Sequence, residues 1–115
     1  MKMIITMIKP ERLDNVIANL KEKDIRRLTV LEVKGFGQQM GHKEVYRGTE
    51  FEVKLNPKIQ LEIAVNDEFV DTTVEAILSG AKSPDGGAIG DGKIFVLDME
   101  EAIKIRTGEK GVQAI

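Results

Sequence analysis

The chain has 115 residues, enough for one domain around one core. Charged residues make up 31% and the formal net charge is −2, which argues against nonspecific nucleic-acid binding, since that needs a basic face. Aromatics at 4% leave no platform for stacking bases, and with no cysteine there is neither a disulfide framework nor thiolate chemistry. The first predicted element is Met3 to Ile8, a short apolar run that reads as a strand covered on both faces and is too short for a signal peptide. Pro10 suits the first turn of a helix, and Leu13, Val16, Ile17 and Leu20 give that helix an apolar face. Leu28 to Val33 is β-branched enough for a second strand. Ile59, Leu61, Ile63 and Val65 alternate with Lys58, Gln60, Glu62 and Ala64, the pattern of a half-buried strand.

Asn66-Asp67 offers an N-cap for a second helix, whose stripe is Val70, Val74, Ile77, Leu78 and Ala81. Ser83-Pro84-Asp85 breaks it. Ile94 to Leu97 is a fourth long strand, and Ala102 to Arg106 a short fifth. The order is β-α-β, long segment, β-α-β, tail. That is an α+β chain of the split βαβ, ferredoxin-like kind (βαββαβ), with both helices on one face of the sheet. The first and fourth strands are apolar at nearly every position, so the other face also needs cover. A chain this short has nothing left to cover it, which predicts oligomerisation.

Two segments carry chemistry. Gly86 to Lys93 reads GGAIGDGK directly before a strand. Its glycines let backbone N–H groups approach an anion, and Lys93 adds a point charge. The spacing approaches a P-loop, but Ile94 stands where a magnesium-holding hydroxyl belongs and no helix follows. The loop therefore suits an anion or nucleotide without the equipment of a hydrolase. Lys104 and Arg106 alternate with Ile103 and Ile105, and on a strand they would join Lys93 in a three-cation cluster; the alternative is a solvated edge. The segment from Gly37 to Pro57 is long for a connection inside a small domain. It reads either as a mobile arm for a partner or as a long hairpin with a polar tip. Glu100-Glu101 and Asp67-Glu68 sit at element starts, where acids are structural. The single histidine, His42, has no nucleophile near it in sequence and excludes a multi-histidine metal site within the chain.

The segments MIKPERLDNVIANL, LTVLEVKGFGQQMGH, EVYRGTEFEV, IGDGKIFV and IKIRTGE, in that order, resemble the PII signal-transduction proteins over essentially the whole chain. The resemblance implies one domain, 1–115, forming a homotrimer of ferredoxin-like subunits with their sheets facing inward. The arm at about 37–57 would be the T-loop, the glycine segment at about 83–93 the B-loop, and about 102–115 the C-terminal segment. The implied function is a cytoplasmic sensor of adenine nucleotides, not an enzyme, with no nucleic-acid partner. Its T-loop would regulate a target such as a membrane transporter or metabolic enzyme in nitrogen metabolism. A transporter target would recruit it to the membrane. The alternative is an ATP/ADP sensor that ignores 2-oxoglutarate and serves a transporter or enzyme unconnected with ammonium.

No cofactor is obligate; the implied ligands are ATP or ADP, with magnesium and 2-oxoglutarate beside ATP. Nucleotide contacts carry over to Met7, Thr29, Gly35, Gly37, Gln38, Gly90, Asp91, Gly92, Lys93, Lys104 and Arg106. The 2-oxoglutarate site carries over to Gln39, Gly41 and Lys58, with Gln39 also holding magnesium through ATP. The partner-contacting arm carries over to His42, Lys43, Tyr46, Arg47, Thr49 and Phe51. Gln38 stands where the family often has arginine, Lys104 where a second C-terminal arginine is common, and Ala88 where a loop cation is usual. This deficit predicts a weakened preference for ATP over ADP. Phe51 occupies the position of the tyrosine that some bacteria uridylylate and has no hydroxyl to modify.

Overall fold

The computed structural model describes residues 1–37 and 55–115, together with the backbone of two short strands at 45–46 and 50–51. The elements run β1 (Lys2–Ile8), α1 (Leu13–Glu22), β2 (Thr29–Gly35), β3 (Val45–Tyr46), β4 (Glu50–Phe51), β5 (Asn56–Val65), α2 (Val70–Ala81) and β6 (Lys93–Asp98). The long strands form one antiparallel sheet in the order β2-β5-β1-β6. β1 and β2 therefore run parallel with β5 inserted between them, and β5 and β6 run parallel with β1 between them. This interleaving is the split βαβ, ferredoxin-like arrangement. β3 pairs with β4 in a separate two-stranded ladder, Val45 opposite Phe51 and Tyr46 opposite Glu50. The hairpin reading of the middle segment is met to that extent.

The period-two pattern decides which side of each strand is buried. Ile4, Thr6 and Ile8 on β1, and Ile59, Leu61, Ile63 and Val65 on β5, are buried beneath the helices. Val16 and Leu20 of α1 and Ile77 of α2 close this core from above. Thr6 is the one buried β1 residue with a hydroxyl, and it donates to Lys93 O at 2.8 Å, so its polar atom is satisfied.

The expected stripe of the second helix holds at Val70, Val74, Ile77 and Ala81, which lie in or against the core, and fails at Leu78. Thr73, Ala76, Ile77, Gly80 and Ala81 are buried, whereas Leu78 is 55% exposed. The cause is the close approach of α1. A Cβ on Gly80 would lie 2.9 Å from Val16 Cα, so only small residues fit that seam. Thr73 turns its hydroxyl to Phe69 O at 2.7 Å and Arg12 donates to Gly80 O at 3.0 Å across the helix pair. The expected Asn66 cap is also corrected. Asn66 has the extended backbone of an N-cap, but a 3-10 turn over Asp67–Phe69 comes first and its side chain makes no capping bond. Asn66 Nδ2 instead reaches Val112 O at 3.4 Å.

The fifth strand is not formed. Ile103 makes a lone bridge to Lys110, and Gly108 N–H returns to Lys104 O at 2.7 Å. Gly108 and Gly111 take φ of +76° and +80°, which folds residues 102–111 into a tight loop before a strand can extend. Ile103 is left 57% exposed and Ile105 fully exposed.

Candidate functional site

The glycine segment connects the end of α2 to the start of β6, and its shape is set from within. Asp91 turns its carboxylate into the loop. Oδ2 accepts from the Ser83 N–H at 3.0 Å and the Ala88 N–H at 2.9 Å, and Oδ1 accepts the Ser83 hydroxyl. Lys9 Nζ stands 3.4 Å from the same carboxylate and donates to Ser83 Oγ at 3.1 Å. The Ser83 hydroxyl, then its backbone N–H, the Ala88 N–H and Lys9 hold the Asp91 carboxyl well below the usual carboxylate range, against the opposing effect of burial. The Asp91 carboxylate is thus the clasp of the loop.

Positive φ runs through the clasped segment at Asp85, Gly86, Gly87, Gly90 and Gly92. Gly92 is obligatory: a Cβ there would sit 1.7 Å from Met7 O. Within the described residues the N–H groups of Gly90 and Gly92 bond to no other group. They flank the clasp. Gly90 O is engaged, accepting from Lys58 Nζ at 2.7 Å. Beside the loop, a cleft of about 670 Å³ opens between α2 and β6, lined by Lys82, Gly86, Gly87 and Lys93 together with Val74, Leu78 and Ile94. That volume and that mix of apolar wall and few polar groups suit a small ligand.

The strand register places the other expected residues. Met7 lies opposite both Gln60 and Lys93, on the sheet face away from the helices. Gly35 ends β2 opposite Asn56, and a Cβ on it would be 3.4 Å from Lys58 Cγ. Met7, Gly35, Lys58 and Gly90 to Lys93 therefore gather at one end of the sheet. Gly37 follows just beyond, exposed, with no atom within 4 Å of where its Cβ would be.

Thr29, Lys104 and Arg106 are elsewhere. Thr29 starts β2 opposite Glu62, six residues before Gly35, or about 20 Å along the strand. β6 carries the chain from Lys93 to Asp98, about 17 Å toward the opposite end. There Met99 N–H bonds Met1 O, and the tight loop with Lys104 and Arg106 follows. The three-cation cluster with Lys93 is therefore not formed within one chain. The reason is the strand order, which sends β6 away from the glycine loop before the second pair of cations appears. Lys104 pairs with Glu109 at 3.4 Å, and the Thr107 hydroxyl followed by Lys104 holds the Glu109 carboxyl below its ordinary value. Gln38, Gln39, Gly41, His42, Lys43, Arg47 and Thr49 lie outside the described residues, as do the side chains of Tyr46 and Phe51.

Lys9, Ser83 and Lys82 are the loop residues that the sequence reading passed over. Ser83-Pro84-Asp85 shows as a helix stop, and nothing in its spacing to Asp91 signals that Ser83 supplies two of the donors to that carboxylate. Among the described residues there is no cluster of three or more His, Cys, Asp or Glu that would hold a metal, and no helix is long and apolar enough to cross a membrane.

Comparison with known proteins adds a consistent result. The family model for nitrogen regulatory protein P-II matches residues 1–109. The chain is 53% identical over 115 residues to nitrogen regulatory protein GlnK1 of Methanosarcina mazei, covering all of this chain and 97% of that protein. It is 51% identical over 115 residues to the nitrogen regulatory protein P-II of Rhizobium etli and equally to that of Haemophilus influenzae, covering each pair of chains completely.

Proposed function

This chain belongs to the nitrogen regulatory protein P-II family, and on that premise we propose that it is a trimeric signal-transduction protein that senses adenine nucleotides and regulates a nitrogen-metabolism target through the arm at 37–57. The observation that carries the nucleotide reading is the clasped loop. It holds two unspent glycine N–H groups beside Lys93, at a fixed geometry, where a phosphate would bring the complementary charge.

The separation of the expected contacts supports the assembly. Gly90 to Lys93 stand at one end of the sheet, and Thr29, Lys104 and Arg106 at or toward the other. A neighbouring copy can bring its own Thr29, Lys104 and Arg106 to this loop, so the nucleotide would sit between subunits. The outer sheet face also asks for cover. Met3, Ile5 and Met7 of β1 share it with Leu31 and Val33 of β2 and with Phe95 and Leu97 of β6, the last two 44% and 45% exposed. The exposed Ile103 and Ile105 of the C-terminal loop fit the same account.

Lys58 gives the sensing a physical route. It follows the arm directly in sequence and is bonded to Gly90 O. An oxoacid carboxylate taking Lys58 would release the loop carbonyl, and the arm conformation would shift with the differential contacts in each ligand state. The second reading, a nucleotide sensor indifferent to 2-oxoglutarate, is favoured by this same contact, because Lys58 is already committed. Calorimetry with ATP and ADP, with and without magnesium and 2-oxoglutarate, separates them. Heat on adding 2-oxoglutarate to the magnesium–ATP complex supports the first reading; nucleotide binding without that heat supports the second. No nucleotide binding under any condition, or a monomer by light scattering at micromolar concentration, overturns the proposal.

A further inference from the structure

We propose that Lys82 is a phosphate-contacting residue of this site, the second cation of the glycine loop beside Lys93. The inference rests on the nucleotide reading above and names a specificity-determining residue within it. Four lysines surround the loop, and they are not equivalent. Lys9 is held by Ser83 and Asp91, and Lys58 by Gly90 O. Lys82 and Lys93 make no ion pair or hydrogen bond through their ammonium groups with any described residue. They are the two unpaired cations at the loop, and both line the same cleft, whereas the unpaired carboxylate of the loop, Asp85, is not among its lining residues.

The path of the Lys82 side chain gives the direction. Its backbone N–H closes α2 by bonding Leu78 O at 3.2 Å. A Cβ built on Gly87 would lie 3.3 Å from Lys82 Cε and 3.5 Å from its Cγ, so the stem is laid along the glycine backbone. The ammonium is one bond beyond Cε and is therefore carried across the loop, toward the Gly86–Ala88 side of the cleft. A lysine serving only the helix C-terminus would interact with the last carbonyls and would need no such extension. The position also compensates for Ala88, which brings no charge of its own to the loop.

The ligand class follows from the spacing of charges. One phosphate can be met by Lys93 with the Gly90 and Gly92 N–H groups. A second cation on the Gly86–Ala88 side suits a polyphosphate, and the terminal phosphate of a triphosphate gains most. The test is calorimetry on the full chain with ATP and with ADP, for the wild type, Lys82→Ala, Lys82→Arg and the exposed-lysine control Lys23→Ala. Lys82→Ala is expected to weaken ATP binding about fivefold and ADP less, the size of a partly solvated charge-assisted contact. Lys82→Arg should stay within twofold of wild type, and Lys23→Ala should match it. Unfolding midpoints measured in parallel should be unchanged. Unaltered ATP affinity in Lys82→Ala, with the wild type binding normally, overturns this inference alone. So does a loss that Lys82→Arg fails to rescue, or one matched by a fall in stability. A wild type that binds neither nucleotide refutes the nucleotide reading, and this inference with it.

Discussion

Gly92→Ala tests the link between the glycine loop and the sheet. The added Cβ would stand 1.7 Å from Met7 O and 2.8 Å from Met7 C. Carbon–oxygen contacts settle at about 3.3 Å, so roughly 1.6 Å of overlap must be relieved. The obstacle is backbone of β1, in the centre of the sheet, and cannot swing aside as a side chain would. Relief means drawing the start of β6 away from Met7, at the cost of ladder hydrogen bonds worth about 1 kcal/mol each. A φ of +108° adds about 1–2 kcal/mol for an L-residue. The expected loss is about 3–5 kcal/mol, a large share of a typical domain stability of about 5–15 kcal/mol. Urea unfolding at a fixed protein concentration, with the slope compared to wild type, measures it. Gly86→Ala is the control. It shares a positive φ of +91° but meets nothing within 4 Å, so it carries the conformational cost alone. If the two variants differ by less than about 1 kcal/mol, the clash is being absorbed and the reasoning fails.

The Asp91 clasp gives a pH prediction. Its pKa is lowered in the folded chain, so its stabilisation is complete above the ordinary carboxylate value of 3.8 and is lost as pH falls through the lowered one. Hydrogen exchange at the Ser83 and Ala88 amides should stay slow, apart from the intrinsic pH effect, down to about pH 4 and lose protection only below it; loss of protection between pH 5 and 7 would contradict this. Gly80→Val should lower stability by about 1–3 kcal/mol by forcing α1 off α2, read as a drop in thermal midpoint, and an unchanged midpoint would show that the helix seam has slack.

The core strands were legible because burial on one face writes a period of two into the sequence. β5 is the clearest case, with Ile59, Leu61, Ile63 and Val65 all buried. On α2 the stripe of Val70, Val74, Ile77 and Ala81 was legible, but Leu78 was misplaced because hydrophobicity favours it while the seam is chosen by size: Ala76 and Gly80 are buried and Leu78 is exposed. The alternation Ile103-Lys104-Ile105-Arg106 looked like a strand, but a strand needs a partner, and Gly108 closes the chain on itself first. The glycine loop announced itself by composition. Its clasp did not, since one carboxylate serving Ser83 and Ala88 is a property of the folded turn. The separation of Lys93 from Lys104 and Arg106 was equally hidden, because it follows from strand order and direction.

The clasp also bears on the proposed ligand binding by a segment so rich in glycine. Glycines lower the cost of unusual backbone angles but leave an open loop with much conformational entropy to lose on binding. Here the Asp91 carboxylate, fixed from one side by Ser83 and Ala88 and from another by Lys9, removes that freedom before a ligand arrives. Its negative charge is used up inside the loop rather than turned against an incoming phosphate. The N–H groups of Gly90 and Gly92, on either side of the clasp, are left without partners in the described chain. On the proposed reading, an acidic residue at the centre of the loop would preorganise an anion site, because its charge is met by donors of the loop and by Lys9 while the donors beside it stay free.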